Sequence, residues 1–305
     1  MAVLVTGGHG FVGAWVTRQL AESGEDVLVY DNAPPPDRIL DGVSGRIQHV
    51  RGDVLDYPRL ESAIRSEGIT GIVHAAALVG QRVNENPHGA CQINITGTLN
   101  ILEIVRQVGG IRLVYVSSGA VYGAAEGPLR ETDAVTPSDL YGATKAACEH
   151  LCDQYSETFG VDVTSARIFF IYGPGRVPWG GDGFNTMLFA PLAGIPEVRF
   201  PAGRDQKADW TYVEDAAHGI VLMLNAKEVK RAYNIASGVS RSVDDVVAAV
   251  QKHAPVSVRI DIGPGVILKR GAPLDIERAR SDLGYSPEFD LDSGVAAYGR
   301  WLAEE

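Results

Sequence analysis

The chain has 305 residues, 45% hydrophobic and 21% charged, with a formal net charge of −11 at pH 7. That balance fits a large globular unit, and with no cluster of Lys and Arg to relieve the acidity it argues against nucleic acid or an anionic membrane as partner. The start of the chain carries no basic leader and no apolar run reaches membrane-spanning length; Cys91, Cys148 and Cys152 are too few for a disulfide framework, so a reducing, cytoplasmic setting is expected.

The predicted elements alternate along the chain. Residues 2–5 read as a strand, 7–13 as a glycine-rich loop, and 11–23 as a helix with Val12, Trp15, Val16 and Leu20 on one stripe. Strands are predicted at 26–30 and 46–51, a helix at 57–66, and a buried strand at 71–77. A long helix at 88–108, a buried strand at 111–117, a second long helix at 138–159 and a strand at 161–171 follow. Such alternation requires a parallel sheet with helices on both faces, a Rossmann-like doubly wound α/β architecture that binds ligands at the carboxyl ends of its strands. The segment 173–183 is rich in Gly and Pro and reads as a loop and boundary. Helices return at 184–193, 213–224, 243–253 (capped by Ser242), 276–283 and near the C-terminus.

Gly7, Gly10 and Gly13 fall at G-x-x-G-x-x-G between a strand and a helix. Backbone N–H groups near Phe11 and Val12 can face a pyrophosphate there, with the helix dipole favouring its charge. Alone, the spacing also fits a ligand-free turn. Asp31, which ends the second predicted strand, suits the adenosine ribose hydroxyls and repels a 2′-phosphate. Asn32 and the prolines that follow bring no Arg before Arg38, so NAD is expected rather than NADP.

Tyr141 and Lys145 lie four apart on a predicted helix and share a face. An ammonium beside a phenol lowers its pKa from about 10, as proton transfer to or from an alcohol requires. The pair is common on surface helices, but the strand at 111–117 leads to two hydroxyls, Ser117 and Ser118, at the ligand edge. Ser118 can bond a substrate oxygen beside Tyr141, although turn capping would also account for both serines. Cys148 and Cys152 read as packing thiols, and no metal is expected.

The ordered set Thr6-Gly7-x-x-Gly10-Phe11-x-Gly13, Asp31, Gly52-Asp53-Val54, His74-Ala75-Ala76-Ala77, Asn94-Ile95-x-Gly97-Thr98-x-Asn100, Ser117-Ser118, Val121-Tyr122-Gly123, Tyr141-x-x-x-Lys145 and Tyr172-Gly173-Pro174 resembles the extended short-chain dehydrogenase/reductases, the NAD-dependent epimerase/dehydratase group. The likeness runs over essentially the whole chain, through 210–215 and 283–287. It implies that Tyr141 is the catalytic acid/base, that Lys145 tunes it and binds the nicotinamide ribose, and that Ser118 orients the substrate oxygen. Asn94 would complete the tetrad through a water relay. Asp53 and Val54 would contact adenine, and Ala75, Ala76 and Ala77 would line the cofactor path. His74 would be a structural strand residue and His9 a tolerated variable position. The resemblance also implies a homodimer through helices near 88–108 and 138–159. Residues 1–173, joined by about 209–240, would bind NAD; 174–208 and 241–305 would form a smaller α/β substrate lobe.

Departures from the family pattern narrow the expected substrate. Gly119 and Ala120 stand where 4,6-dehydratases carry an acidic pair, which argues against dehydration. Phe170 replaces the Asn usual in nucleotide-sugar enzymes, and Ala208 replaces an Arg that holds the diphosphate. Arg270 is expected nearby, and Arg176, Arg199, Arg204 and Lys207 are candidates to rebuild an anion site. Ser118, Gly119, Phe170 and Lys207 are the expected substrate contacts. The expected function is reversible, NAD-dependent hydride transfer at a secondary hydroxyl of a carbohydrate-like small molecule, as epimerase or dehydrogenase. A UDP-hexose 4-epimerase, a sterol-type or other hydrophobic alcohol dehydrogenase, and a non-catalytic NAD-sensing protein are the alternatives.

Overall fold

A computed structural model of the chain describes residues 2–36, 38–125, 127–176, 183–268 and 270–304. Strands β1 (Ala2–Thr6), β2 (Asp26–Asp31), β3 (Ile47–Arg51), β4 (Ile69–His74), β5 (Arg112–Ser118) and β6 (Val163–Ile168) join Ala232–Ile235 in one seven-stranded sheet. Every pairing in it is parallel, and the order is Ala232–Ile235, β6, β5, β4, β1, β2, β3. Chain order reverses between β1 and β4, which opens a crevice at their carboxyl ends.

Side-chain alternation explains the two covered faces. Val3 and Val5 of β1 pack with α1 (Phe11–Glu22) and the helix Val213–Asn225, whereas Leu4 between them faces α2 (Tyr57–Ser66) and the helices Gly97–Val108 and Leu140–Phe159. All three are fully buried, as are Ile72, Val73, Leu113 and Val114 of the next two strands. Continuous apolar runs are what a sheet buried on both faces demands.

Three elements in and beside the sheet differ from the sequence expectation. The strand expected at 71–77 ends at His74, because the Ala75 amide turns to the Thr6 carbonyl at 3.0 Å and Ala75–Ala77 leave the sheet edge. The helix expected at 88–108 is α-helical at Pro87–Cys91, π-helical at Gln92–Thr96 and α-helical again at Gly97–Val108. Side chains hold the π-turn open, since the Asn94 carbonyl accepts from Thr98 Oγ1 at 2.6 Å and from Cys148 Sγ at 3.1 Å. The strand expected at 161–171 breaks after Ile168. Phe170 takes φ +40°, and Ile171–Tyr172 pairs instead with Thr211–Tyr212. A left-handed backbone at a bulky residue is costly and persists only under tight packing. Here that packing is edge-on contact with Phe169 at 4.7 Å and Trp210 at 5.3 Å.

Beyond the sheet lie short ladders, Glu197–Phe200 with Arg259–Ile262 and Lys207–Asp209 with Ser240–Ser242. The helix Val243–His253 starts at a capping box of Ser242 and Asp245, as its sequence predicted. The expected helix at 184–193 divides into Gly183–Leu188 and a 3-10 turn, Ala190–Ala193. Most of the 173–183 loop lies outside the described residues. Asp209 is fully buried and accepts from the amides of Ser237, Gly238 and Leu274, which ties these ladders to the sheet edge. Burial raises its carboxyl to about 6 despite those bonds. No helix among the described residues is long and apolar enough to cross a membrane.

A buried ion pair braces β5 and β6 against Leu140–Phe159. Arg167 Nη2 meets Glu149 Oε2 at 2.6 Å, Ser117 Oγ donates to Glu149 Oε1 at 2.5 Å, and Arg167 Nη1 donates to the Tyr122 hydroxyl at 2.7 Å. Removing one partner strands a charge, whereas removing both removes the desolvation problem as well. Arg167→Met is therefore expected to lower the urea unfolding free energy by about 3–5 kcal/mol. The double variant Arg167→Met/Glu149→Leu is expected to lose markedly less; an equal or larger loss in the double would contradict this account.

Candidate active site

The glycine loop is shaped by contacts that leave no room for side chains. Gly7 has φ +69°, and a Cβ on it would lie 2.6 Å from the Ala76 nitrogen; one on Gly13 would lie 2.1 Å from the Gly7 carbonyl oxygen. Gly10 N returns to Gly7 O at 3.0 Å, and α1 begins at Gly10 without a side-chain cap. The first-turn amides at Phe11, Val12 and Gly13 thus lack intrahelical acceptors and point from the β1 end toward the crevice. Asp31 ends β2, with Oδ2 accepting from the His9 amide and Oδ1 from the Ala33 amide, both at 2.9 Å. Asn32 Nδ2 lies 3.5 Å from Asp53 Oδ2 in the next loop, and Val54 is buried against the close approach of Gly97. Ala75, Ala76 and Ala77 follow β4 along the wall of this cradle.

The expected proton-transfer groups gather at the end of β5. Ser118 is the last residue of β5, and its Oγ accepts from the Ala120 amide at 3.1 Å. Tyr141 sits in the first turn of Leu140–Phe159, a helix capped by Asp139 through a 2.7 Å bond from the Gly142 amide. Burial pushes the Tyr141 phenol up; a bond with Ser118 and the guanidinium charges of Arg270 and Arg176 pull it down without prevailing. Lys145 is not the neighbour that shifts it here. Its Nζ donates to the Val116 carbonyl at 2.7 Å and lies 5.9 Å from the Tyr141 ring centroid. Burial lowers the Lys145 ammonium to about 8.

Asn94 works as a brace. Its side chain accepts from the Leu78 amide at 2.8 Å and donates to the Leu78 carbonyl and to Thr144 Oγ1, both at 3.0 Å. The π-turn therefore links the end of the cofactor wall to the residue before Lys145. His74 is buried beneath, with Nδ1 2.6 Å from Thr6 Oγ1 and Nε2 3.0 Å from Thr98 Oγ1. Thr98 gives its proton to Asn94, so the His74 Nε2–H donates to Thr98 and Nδ1 accepts from Thr6. Burial, reinforced by Lys145, lowers His74 to about 3 and keeps it neutral.

Of the expected substrate contacts, Gly119, next to Ser118, and Phe170 both lie against Phe169, whereas Lys207 sits on a separate ladder. Gly119 touches Phe169, where a Cβ would lie 2.7 Å from the ring, so an acidic side chain at 119 has no room. Phe170 and Ala208 are buried, and Lys207 is exposed on an edge strand. Arg199 pairs with Glu197 and Arg204 with Asp244. Arg270, by contrast, reaches Asp139 at 2.9 Å beside the Tyr141 turn, and its buried Nε has no hydrogen-bond partner among the described residues. Sequence reading missed the roles of Asp139, Thr144 and Leu78. Only Asp139 left a local signal, a capping carboxylate three residues before the amide it binds.

The NAD dependent epimerase/dehydratase family matches residues 3–236. The chain belongs to this family. It is 30% identical to a UDP-glucose 4-epimerase of Corynebacterium glutamicum, across 94% of this chain and 91% of that protein. The crystal structure of the Thermus thermophilus UDP-glucose 4-epimerase in complex with NAD superposes with a TM-score of 0.88 at 29% identity, covering 99% of both chains. The UDP-glucuronic acid 4-epimerase of Bacillus cereus, in complex with UDP-glucuronic acid and NAD, gives 0.84 at 26% identity, covering 100% of this chain and 99% of that one. The protein is thus an NAD-dependent enzyme of the epimerase/dehydrogenase type, and at Gly7 and Gly13 its glycine loop leaves no space for a side chain.

The Lys145 shift has a signed consequence. Unfolded lysine titrates near 10.4 and the folded group near 8, so between these values the unfolded chain binds more protons and stability rises with pH. Relative to Lys145→Met, wild type is expected to gain up to roughly 3 kcal/mol between pH 7 and pH 10.5. Urea unfolding of both proteins across that range checks it; a flat or falling difference would refute the burial argument.

Proposed function

We propose that the protein is an NAD-dependent 4-epimerase of a nucleotide-linked hexose or hexuronic acid, with UDP as the carrier. The observation that carries the reading is the meeting of Ser118 and Tyr141 at the end of β5, next to the glycine cradle and above buried Lys145. Tyr141 as phenolate takes the proton of the C4 hydroxyl. Ser118 donates to the oxygen as it becomes a carbonyl, and Lys145 holds positive charge beneath the pair. NAD, when bound, accepts the hydride from C4 and returns it. Rotation of the ketone before that return presents its other face, and Tyr141 gives the proton back, so the centre is inverted with no net redox change. The like-sized relatives named for UDP-glucose and UDP-glucuronic acid support the substrate class. Arg270 and Arg176, whose charges both act on Tyr141, would favour an anionic substrate.

A second reading, epimerisation or oxidation of a carbohydrate without a nucleotide, is favoured by Phe170 and Ala208. Both are buried, where family members offer an amide and a guanidinium. We further infer a cytoplasmic homodimer through the helices near 88–108 and 138–159. In this reading residues 1–173 with 209–240 hold the cofactor, and 174–208 with 241–305 hold the substrate.

Incubation with UDP-glucose, UDP-galactose or UDP-glucuronic acid is expected to yield the 4-epimer by NMR without accumulation of NADH. Tyr141→Phe should slow this about a thousandfold while leaving the affinity for NADH within a few-fold of wild type. Inactivity on every UDP-sugar, with NADH formed from free sugars or sugar acids, would replace the first reading with the second.

A further inference from the structure

His9 lies inside the glycine loop and His49 on β3, and the two imidazoles meet over the end of β2. Besides its amide bond to Asp31, His9 places Nδ1 2.7 Å from the Ala33 carbonyl and Nε2 2.9 Å from His49 Nδ1, with ring centroids 5.0 Å apart. A carbonyl only accepts, so His9 Nδ1 carries the hydrogen. Nε2 of neutral His9 therefore accepts from His49 Nδ1–H, which leaves His49 Nε2 as the open basic site. One proton can add there and break nothing; a second must land on His9 Nε2 and sever the imidazole–imidazole bond. The pair therefore holds a single positive charge without rearrangement.

Charged side chains flank the pair on the described elements; the loop after β2, whose Ala33 carbonyl holds His9, also carries Arg38, which pairs with Glu304. β2 supplies Asp31, β3 supplies Arg51 in register opposite Asp31, and the loop after β3 supplies Asp53, 3.5 Å from Asn32. The glycine loop supplies none besides His9. Burial, then His9, holds the His49 imidazole below its ordinary range, so His49 is neutral at neutral pH and takes its proton only on acidification.

We propose that His9 and His49 form a proton-operated selectivity element for the dinucleotide. Neutral, the pair adds no positive charge beside Asp31, and the adenosine 2′ position stays closed to phosphate. Singly protonated, it offsets Asp31 and admits a 2′-phosphorylated dinucleotide. The proposal rests on the reading of Gly7–Gly13 and Asp31 as the adenosine end of the NAD site.

Isothermal titration calorimetry with NAD and NADP, on protein stripped of dinucleotide, tests it at pH 8 and pH 5.5. The 2′-phosphate itself gains a proton near pH ~6, so the readout is the contrast between wild type and His49→Gln. The NADP-to-NAD ratio of dissociation constants is expected to fall, on acidification, about threefold to tenfold further in wild type, a size set by one screened charge near the surface. His49→Arg, with its charge fixed, is expected to show the lowered ratio already at pH 8. Equal pH dependence in wild type and His49→Gln, or no gain of NADP binding in His49→Arg, would overturn the proposal. Failure of wild type to bind NAD at pH 8 would instead remove the cofactor reading beneath it.

Discussion

The site depends on one close approach of main chain to main chain. Gly7 lies so near Ala75 and Ala76 that no side chain fits between β1's exit and β4's exit, and Gly13 lies equally near Gly7. This contact directs the first turn of α1 at the crevice and sends Ala75–Ala77 along its wall. Leu78, the next residue, then receives both polar atoms of Asn94, and Asn94 reaches Thr144 on the helix of Tyr141 and Lys145. The glycine loop and the helix of Tyr141 and Lys145 are thus joined by a short run of hydrogen bonds. The π-turn at Gln92–Thr96 is what allows Asn94 to sit at that junction, with its carbonyl bonded to side chains instead of the helix.

Burial governs the electrostatics of this region. It raises Tyr141 and lowers Lys145 against the pull of their neighbours, and it lowers His74 together with the Lys145 charge. Tyr141 needs cations to act as a base near neutral pH, and the ones that act on its phenol here are Arg270 and Arg176. Asp139 restrains Arg270 while capping the helix, so one carboxylate both starts the helix and holds a cation beside the phenol. Among apolar layers, such polar groups stay charged only where partners are arranged around them, as with Glu149 and Arg167.

The departures from the family pattern acquire physical reasons in the structure. Gly119 is required by the ring of Phe169, so the acidic pair of a dehydratase has no space at that position. Phe170 is held in a left-handed backbone by Phe169 and Trp210 and contributes an aromatic wall, not a polar contact. Cationic character near the Tyr141 phenol enters instead from Arg270, five residues before Asp275 in a segment that packs across Asp139.

The doubly wound fold, the glycine cradle, Asp31 and the Tyr141–Lys145 spacing were legible in the sequence. Each is written in local periodicity or in a spacing of a few residues, and backbone geometry converts such patterns directly into strands, helices and turns. The end of β4 at His74, the π-turn, the step at Phe170, the Asn94 brace, the Arg270–Asp139 contact and the His9–His49 pair were decided by the tertiary structure alone. Every one joins residues far apart in the chain, such as His9 with His49 or Asp139 with Arg270. Their energies depend on burial and on which donor finds which acceptor, and these are properties of the packed molecule that no local pattern encodes.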